Sequence, residues 1–209
     1  MSKEEDIFEG GRKLPLLEDF YTLQGEGRHT GTAAYFIRVG GCDIGCKWCD
    51  TKFSWNPDVH TLTNMDEIIE KAQNFPAKTI VVTGGEPTTY NLEYLTSKLV
   101  EKGVKTHLET SGVYKLTGTW DWICLSPKKH NKPVPELYKL ANELKVIIET
   151  EDDLNWAIEN ESLVSDTCEL FLQPEWSNFE NIINPVVEFI KNNPRWRISI
   201  QAHKFMHIP

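Results

Sequence analysis

Seven short apolar runs, rich in β-branched residues and each closed by turn formers, divide the sequence: residues 33–41, 79–85, 105–112, 121–127, 144–150, 168–174 and 195–203. Runs of this length and composition read as strands. Helical patterns separate several of them. Leu92, Leu95 and Leu99 fall at i, i+3 and i+7, with Gly103 as the stop. Residues 65–75 and 179–193 are also helical in period, the second interrupted by Pro185. Residues 150–160 open on a Thr cap and acidic first-turn residues. Strands alternating with helices predict βαβ units and a mainly parallel sheet. The chain is short for eight full βα units. The predicted fold is therefore α/β, a partial, reduced (βα) barrel with mainly parallel strands, forming one domain over residues 1–209.

Polar motifs follow the apolar runs: Gly-Gly-Glu-Pro at 84–87, Glu-Thr-Ser-Gly at 109–112, Ser-Pro-Lys at 126–128 and Gln-Pro at 173–174. Ligands of parallel α/β proteins bind at those strand ends, so one shared cavity ringed by these motifs is expected. The formal net charge of −9, with only a short basic run at 126–132, argues against direct contact with nucleic acid. No apolar run reaches membrane-spanning length, and the N-terminal residues lack the apolar core of a secretion signal. A soluble, cytoplasmic protein is expected.

Three of the five cysteines, Cys42, Cys46 and Cys49, lie within eight residues in the spacing C-x3-C-x2-C. In a reducing compartment such a cluster reads as metal-binding or catalytic. Structural zinc wants four ligands, commonly in two doublets, and no second doublet follows. Cys124 and Cys168 sit alone inside apolar runs and read as small buried hydrophobes. The same three positions would share one helix face, but Gly40, Gly41 and Gly45 favour a wrapping loop. A cubane cluster normally takes four cysteines; three leave one iron open to a substrate or cofactor.

This pattern, following a strand and with Trp48 between the last two cysteines, resembles the signature of radical S-adenosylmethionine (SAM) enzymes. "EDFYTLQGEG" (18–27), which by composition is only a loop, together with "YFIRVGGC", "CDT", "VTGGEP", "LSPK" and "QAHK", resembles the 7-carboxy-7-deazaguanine synthase family. The resemblance extends over nearly the whole chain. It implies a [4Fe–4S] cluster on Cys42, Cys46 and Cys49, with SAM chelating the open iron. It also implies Mg2+ on Thr51, whose hydroxyl is a hard donor suited to that ion. Gly85, Glu86, Glu109, Ser111, Ser126, Lys128 and Gln173 match SAM-side positions. Leu23, Gln24, Gly25, Glu26, Arg38, Thr83, His203 and the terminal carboxylate of Pro209 match substrate contacts. Arg38 suits a carboxylate, which a guanidinium clamps with two bonds.

The implied reaction is a radical ring contraction of 6-carboxy-5,6,7,8-tetrahydropterin to 7-carboxy-7-deazaguanine with loss of ammonia. It serves 7-deazapurine synthesis, including queuosine precursors. The implied partners are that small-molecule pterin, a flavodoxin- or ferredoxin-type reductant and a second copy of the chain in a homodimer, with no nucleic acid or membrane. The segment after Thr51, residues 52–64, stands where a helix could be, so irregular cluster surroundings are expected. Two rivals remain. A glycyl-radical-activating enzyme would share the cysteines and the Gly-Gly-Glu turn. An iron–sulfur carrier or zinc-stabilised module would leave the polar strand ends without a role.

Overall fold

The computed structural model describes residues 7–209; residues 1–6, part of the stretch that argued against a secretion signal, lie outside the described residues. Among the described residues nine strands form one sheet: β1 (Lys13–Leu23), β2 (Ala33–Val39), β3 (Thr61–Asn64), β4 (Thr79–Gly84), β5 (Lys105–Thr110), β6 (Trp122–Leu125), β7 (Glu143–Ile148), β8 (Glu169–Pro174) and β9 (Trp196–Ile198). The described residues also form six α-helices: α1 (Met65–Gln73), α2 (Glu93–Glu101), α3 (Pro135–Leu140), α4 (Asp152–Glu161), α5 (Phe179–Asn192) and α6 (Ala202–Met206). The strand order is β3-β1-β2-β4-β5-β6-β7-β8-β9. From β2 to β9 all pairings are parallel. β1 runs antiparallel to both of its neighbours. The sheet is open, with β3 and β9 as its edges, which makes it a partial βα barrel.

Each strand turns one face to the helices and the other to the barrel interior. In β7, Leu144, Val146 and Ile148 join Trp156 of α4 and Leu170 and Leu172 of β8 in an apolar core. Lys145 and Ile147, between them, face a cavity. A second core packs Ile37, Val82 and Leu108 against α1 and α2. α1 forms because Met65, Ile68, Ile69 and Ala72 make one buried stripe, and the Asn64 side chain caps it by accepting the Asp66 N–H at 3.0 Å.

The structure corrects three sequence readings. β1 occupies most of the stretch read as a loop at 18–27, which shrinks to the residues after Leu23. Its acidic residues are satisfied across the sheet: Glu18 is in register with Arg38, and Asp19 is paired with Lys71 at 2.7 Å and with the Tyr35 hydroxyl. α5 runs through Pro185 without interruption. Only the carbonyl of exposed Asn181 loses a partner, while Ile182 and Val186 stay buried against the sheet. The apolar run at 195–203 is a strand only over Trp196–Ile198; Ala202–Met206 then coils into α6. As expected, residues 52–64 form no α-helix: two 3-10 turns, at Lys52–Ser54 and Pro57–Val59, lead into β3. Among the described residues no helix is long and apolar enough to cross a membrane.

Candidate active site

A cavity of about 710 Å3 opens at the carboxyl ends of the parallel strands. Every site residue expected from the sequence lines it, from Leu23 at the end of β1 to Pro209. Four groups of residues build it.

The cysteine loop follows β2. Gly41 N–H donates to Ser54 O at 2.6 Å and Cys42 N–H to Trp55 O at 3.1 Å, so the 3-10 turns after Thr51 brace the loop from outside. Gly40 O accepts the Tyr90 hydroxyl at 2.7 Å, and Ile44 O lies 2.8 Å from the His130 ring. Gly41 and Gly45 adopt φ of 95° and 72°, left-handed conformations that bend the chain into a loop and prevent a helix. All three thiols are free, with Cys46 buried and Cys42 and Cys49 half-buried. Burial pushes the Cys42 thiol up to about 11, so a metal binding there must displace a proton. Among the described residues no three His, Cys, Asp or Glu side chains converge closely enough to hold a single ion. A cluster asks instead that each thiolate reach a different iron, and three soft donors on one wrapped loop fit that demand.

The Gly-Gly-Glu turn ends β4 beside this loop. Gly85 N–H bonds to Val39 O, and Glu86 N–H to Gly41 O, both at 2.8 Å. The Glu86 carboxylate is 1% exposed and fully engaged. It accepts the Thr88 N–H (3.1 Å) and hydroxyl (2.6 Å), the Ser111 N–H (2.8 Å) and hydroxyl (2.5 Å), and the Thr110 hydroxyl. Glu86 therefore locks the turn and the end of β5 together. Residues 83–86 together line the cavity. Lys128 donates to Ser126 O and Oγ at 2.7 Å each, and its ammonium sits 5.1 Å from the Trp48 ring centre, tying the Ser-Pro-Lys turn to the cysteine loop.

A polar chain crosses the floor. Thr83 donates to Glu109 Oε2 and Gln24 Nε2 donates to Glu109 Oε1, both at 2.9 Å; Gln24 Oε1 accepts the Glu26 N–H at 3.0 Å. Glu26 pairs with Lys145 and accepts Gln201 Nε2 at 2.9 Å. Burial alone would raise the Glu26 carboxyl, but Lys145 and Gln201 hold it below its usual range. Gln173 accepts the Ser199 hydroxyl at 2.7 Å, which in turn accepts the Gly27 N–H at 2.9 Å. Arg38 sits over Phe20, its Nε 2.8 Å from Glu18 Oε1. That contact is ionic, since the buried Nε has no hydrogen-bond partner.

The last wall comes from the chain's end. Ala202 N–H bonds to Gly25 O at 2.9 Å, and the His203 ring lies where a side chain at 25 would need to be, with Nδ1 2.1 Å from an ideal Cβ. Burial lowers the His203 pKa, which keeps the ring neutral. Thr51 donates its hydroxyl proton to Asp50 Oδ1 at 2.9 Å, and Lys204 holds Asp50 Oδ2 at 2.9 Å. A hydroxyl whose proton is committed this way offers its lone pairs outward, as an Mg2+ ligand should.

Sequence reasoning missed Lys145, Gln201, Asp50, Lys204 and Trp176, all of which line the cavity. A signal existed for the first: a lysine inside the apolar run "LKVII" marks a buried charge with a function or a partner.

Comparison with known proteins gives the class first. The sequence profile of the Radical SAM superfamily matches residues 36–124, which hold the cysteine loop and the Gly-Gly-Glu turn. The protein is a radical SAM enzyme, which implies a [4Fe–4S] cluster and SAM. The 7-carboxy-7-deazaguanine synthase of Flavobacterium psychrophilum is 53% identical over 100% of both chains, and that of Synechocystis sp. is 42% identical over 93% of each. A crystal structure of QueE from Escherichia coli matches with a TM-score of 0.83 and 30% identity, over 97% of this chain and 100% of that one. The chain belongs to the 7-carboxy-7-deazaguanine synthase family.

Proposed function

We propose that this protein converts 6-carboxy-5,6,7,8-tetrahydropterin to 7-carboxy-7-deazaguanine and ammonia. The reaction is redox-neutral, since the product is the substrate less one ammonia; SAM can therefore be regenerated. When bound and reduced by one electron, the cluster with SAM would supply a 5′-deoxyadenosyl radical able to abstract hydrogen from C6 of the pterin. The protein's own residues bind, orient and exclude water. Cys42, Cys46 and Cys49 hold the cluster. The 83–85 backbone, Glu109, Ser111, Ser126, Lys128 and Gln173 cradle SAM, with Glu86 fixing the turn from behind. Gln24, Glu26, Arg38, Thr83 and His203 hold the pterin, and Leu23, Gly25 and Pro209 shape its end of the cavity. Thr51 would hold Mg2+ through its hydroxyl, a hard donor suited to that ion.

The observation that supports this reading is the convergence of both residue sets on one cavity, the SAM side and the pterin side meeting at Glu109 and Thr83. The reductant is a flavodoxin- or ferredoxin-type protein, the active species a homodimer and the compartment the reducing cytoplasm. Anaerobic reconstitution with SAM, reductant and the pterin, with and without Mg2+, tests the reading. Product with ammonia is expected, and none from Cys46→Ala. Reductive SAM cleavage that leaves the pterin unconsumed would overturn it.

A further inference from the structure

Lys145 is 5% exposed and projects from the middle of β7 into the cavity. Its neighbours in the strand, Leu144 and Val146, belong to the apolar core behind it. Among the described residues the only hydrogen bond from its ammonium is to Glu26 Oε2. Two further carboxylates, Glu109 and Glu143, lie around it. Glu26, Glu109 and Glu143 meet again around a small void of about 10 Å3 beneath the floor. One buried cation thus stands among three carboxylates, Glu143 buried and Glu26 and Glu109 half-buried, and bonds to Glu26. The other Glu26 oxygen is held by Gln201, which fixes the carboxylate plane. Each oxygen of an ionised carboxylate keeps a further lone pair for a ligand's N–H.

We propose that Lys145 is a positioning residue, which acts on the pterin through Glu26 by holding that carboxylate ionised and aimed into the cavity. This deepens the function proposed above and rests on it. The ligand chemistry is the N–H-bearing edge of a 2-aminopyrimidinone ring, which a charged carboxylate binds far better than a neutral acid. A carboxylate buried without a counter-ion takes up a proton instead. The groups facing Glu26 are Lys145 and Glu143 of β7, Gln201 and His203 of the closing segment, Glu109 of β5 and the Cys124 thiol of β6, with the His29 and His107 rings across the small void. Burial lowers the His203 pKa and raises that of Glu143. Loss of the lysine removes the same counter-ion from Glu26 and from Glu143, so the assigned Glu26 resonance is what separates the two.

The test compares Lys145→Met, Lys145→Arg, Glu26→Gln and the double variant as anaerobically reconstituted enzyme. Lys145→Met should raise KM for 6-carboxy-5,6,7,8-tetrahydropterin by about tenfold or more at neutral pH, with kcat little changed. The loss should shrink as the pH rises toward ~9 and the carboxyl ionises without its partner. Lys145→Arg should restore most of the affinity. Cluster absorbance and reductive SAM cleavage should match wild type. The 13C resonance of the Glu26 carboxyl, assigned through Glu26→Gln, should titrate between pH ~6 and ~9 in Lys145→Met and stay ionised in wild type. A wild-type KM in Lys145→Met overturns the proposal. So does a double variant whose losses multiply, because Lys145 then touches substrate itself. Should Lys145→Met fail to fold, the neutral double variant and Lys145→Arg still decide it: Lys145→Arg must keep KM, and the double variant must match Glu26→Gln. If wild type cleaves SAM but spares the pterin, the proposed function fails, while the carboxyl resonance still tests the coupling.

Discussion

Gly85 and Gly41 meet backbone to backbone: a Cβ on Gly85 would stand 2.1 Å from Gly41 O, the atom that accepts the Glu86 N–H. The turn proposed to cradle SAM and the loop proposed to hold the cluster are thus joined backbone to backbone. Gly85→Ala should push them apart at a cost of about 1–3 kcal/mol. Iron retained per chain after reconstitution should fall along with the thermal midpoint. Normal iron content in a stable Gly85→Ala protein would contradict the coupling.

Glu86 accepts two backbone N–H groups and three hydroxyls in a buried site. Glu86→Gln turns an amide NH2 toward some of those donors. Hydroxyls can rotate away, but the N–H of Thr88 or Ser111 cannot. Urea unfolding of the apoprotein should show a loss of about 1–3 kcal/mol.

Thr51 tests the metal assignment. Serine at 51 keeps the hydroxyl and should keep the Mg2+ response. Valine keeps the shape and loses the donor. Thr51→Val should raise the Mg2+ concentration for half-maximal turnover by about tenfold or more, with SAM cleavage unaffected. An unchanged Mg2+ titration would remove Thr51 from the metal site.

His107 is 9% exposed, its ring lies tilted against His29 with centres 4.6 Å apart, and burial lowers its pKa to about 4. The folded state holds it neutral while the unfolded chain protonates it below about 6.5. Between those values the unfolded state binds more protons, so stability falls as the pH falls. The urea midpoint should decline from about pH 6.5 toward 4, and less steeply in His107→Gln.

Cys168 is buried in the apolar core and Cys124 at the cavity floor, its thiol directed at Glu143, and burial raises both thiols, Cys168 to about 12. The thiolate is the reactive form. Brief alkylation of the native apoprotein near neutral pH, mapped by mass spectrometry, should leave these two unmodified.

The parallel half of the fold was legible because its strands are apolar runs with their own stop signals, as in "TIVVTGG". β1 was not, because its charges find partners on β2 and α1, and a pairing across the sheet leaves no local mark. The cysteine loop was legible as spacing alone. Glu86 was legible as a site residue, but not as a hub with five donors, since Thr88, Thr110 and Ser111 approach it only in the folded chain. Lys145 and Gln201 stayed unread because their partner, Glu26, lies more than a hundred positions away.

The seam between the 24–27 loop and the closing segment is made of few bonds: Ala202 to Gly25, Gly27 to Ser199, and Gln201 to Glu26. α6 is five residues long and buries none of them. A helix so short has little stability of its own, and it will part from the sheet at a free energy well below that of global unfolding. The amide of Ala202 should therefore exchange with solvent long before those of β4 and β5, and should slow when substrate is bound. The time a reactive intermediate spends sealed from water is then set by the breathing of this short helix, on a clock separate from the stability of the sheet that carries the chemistry.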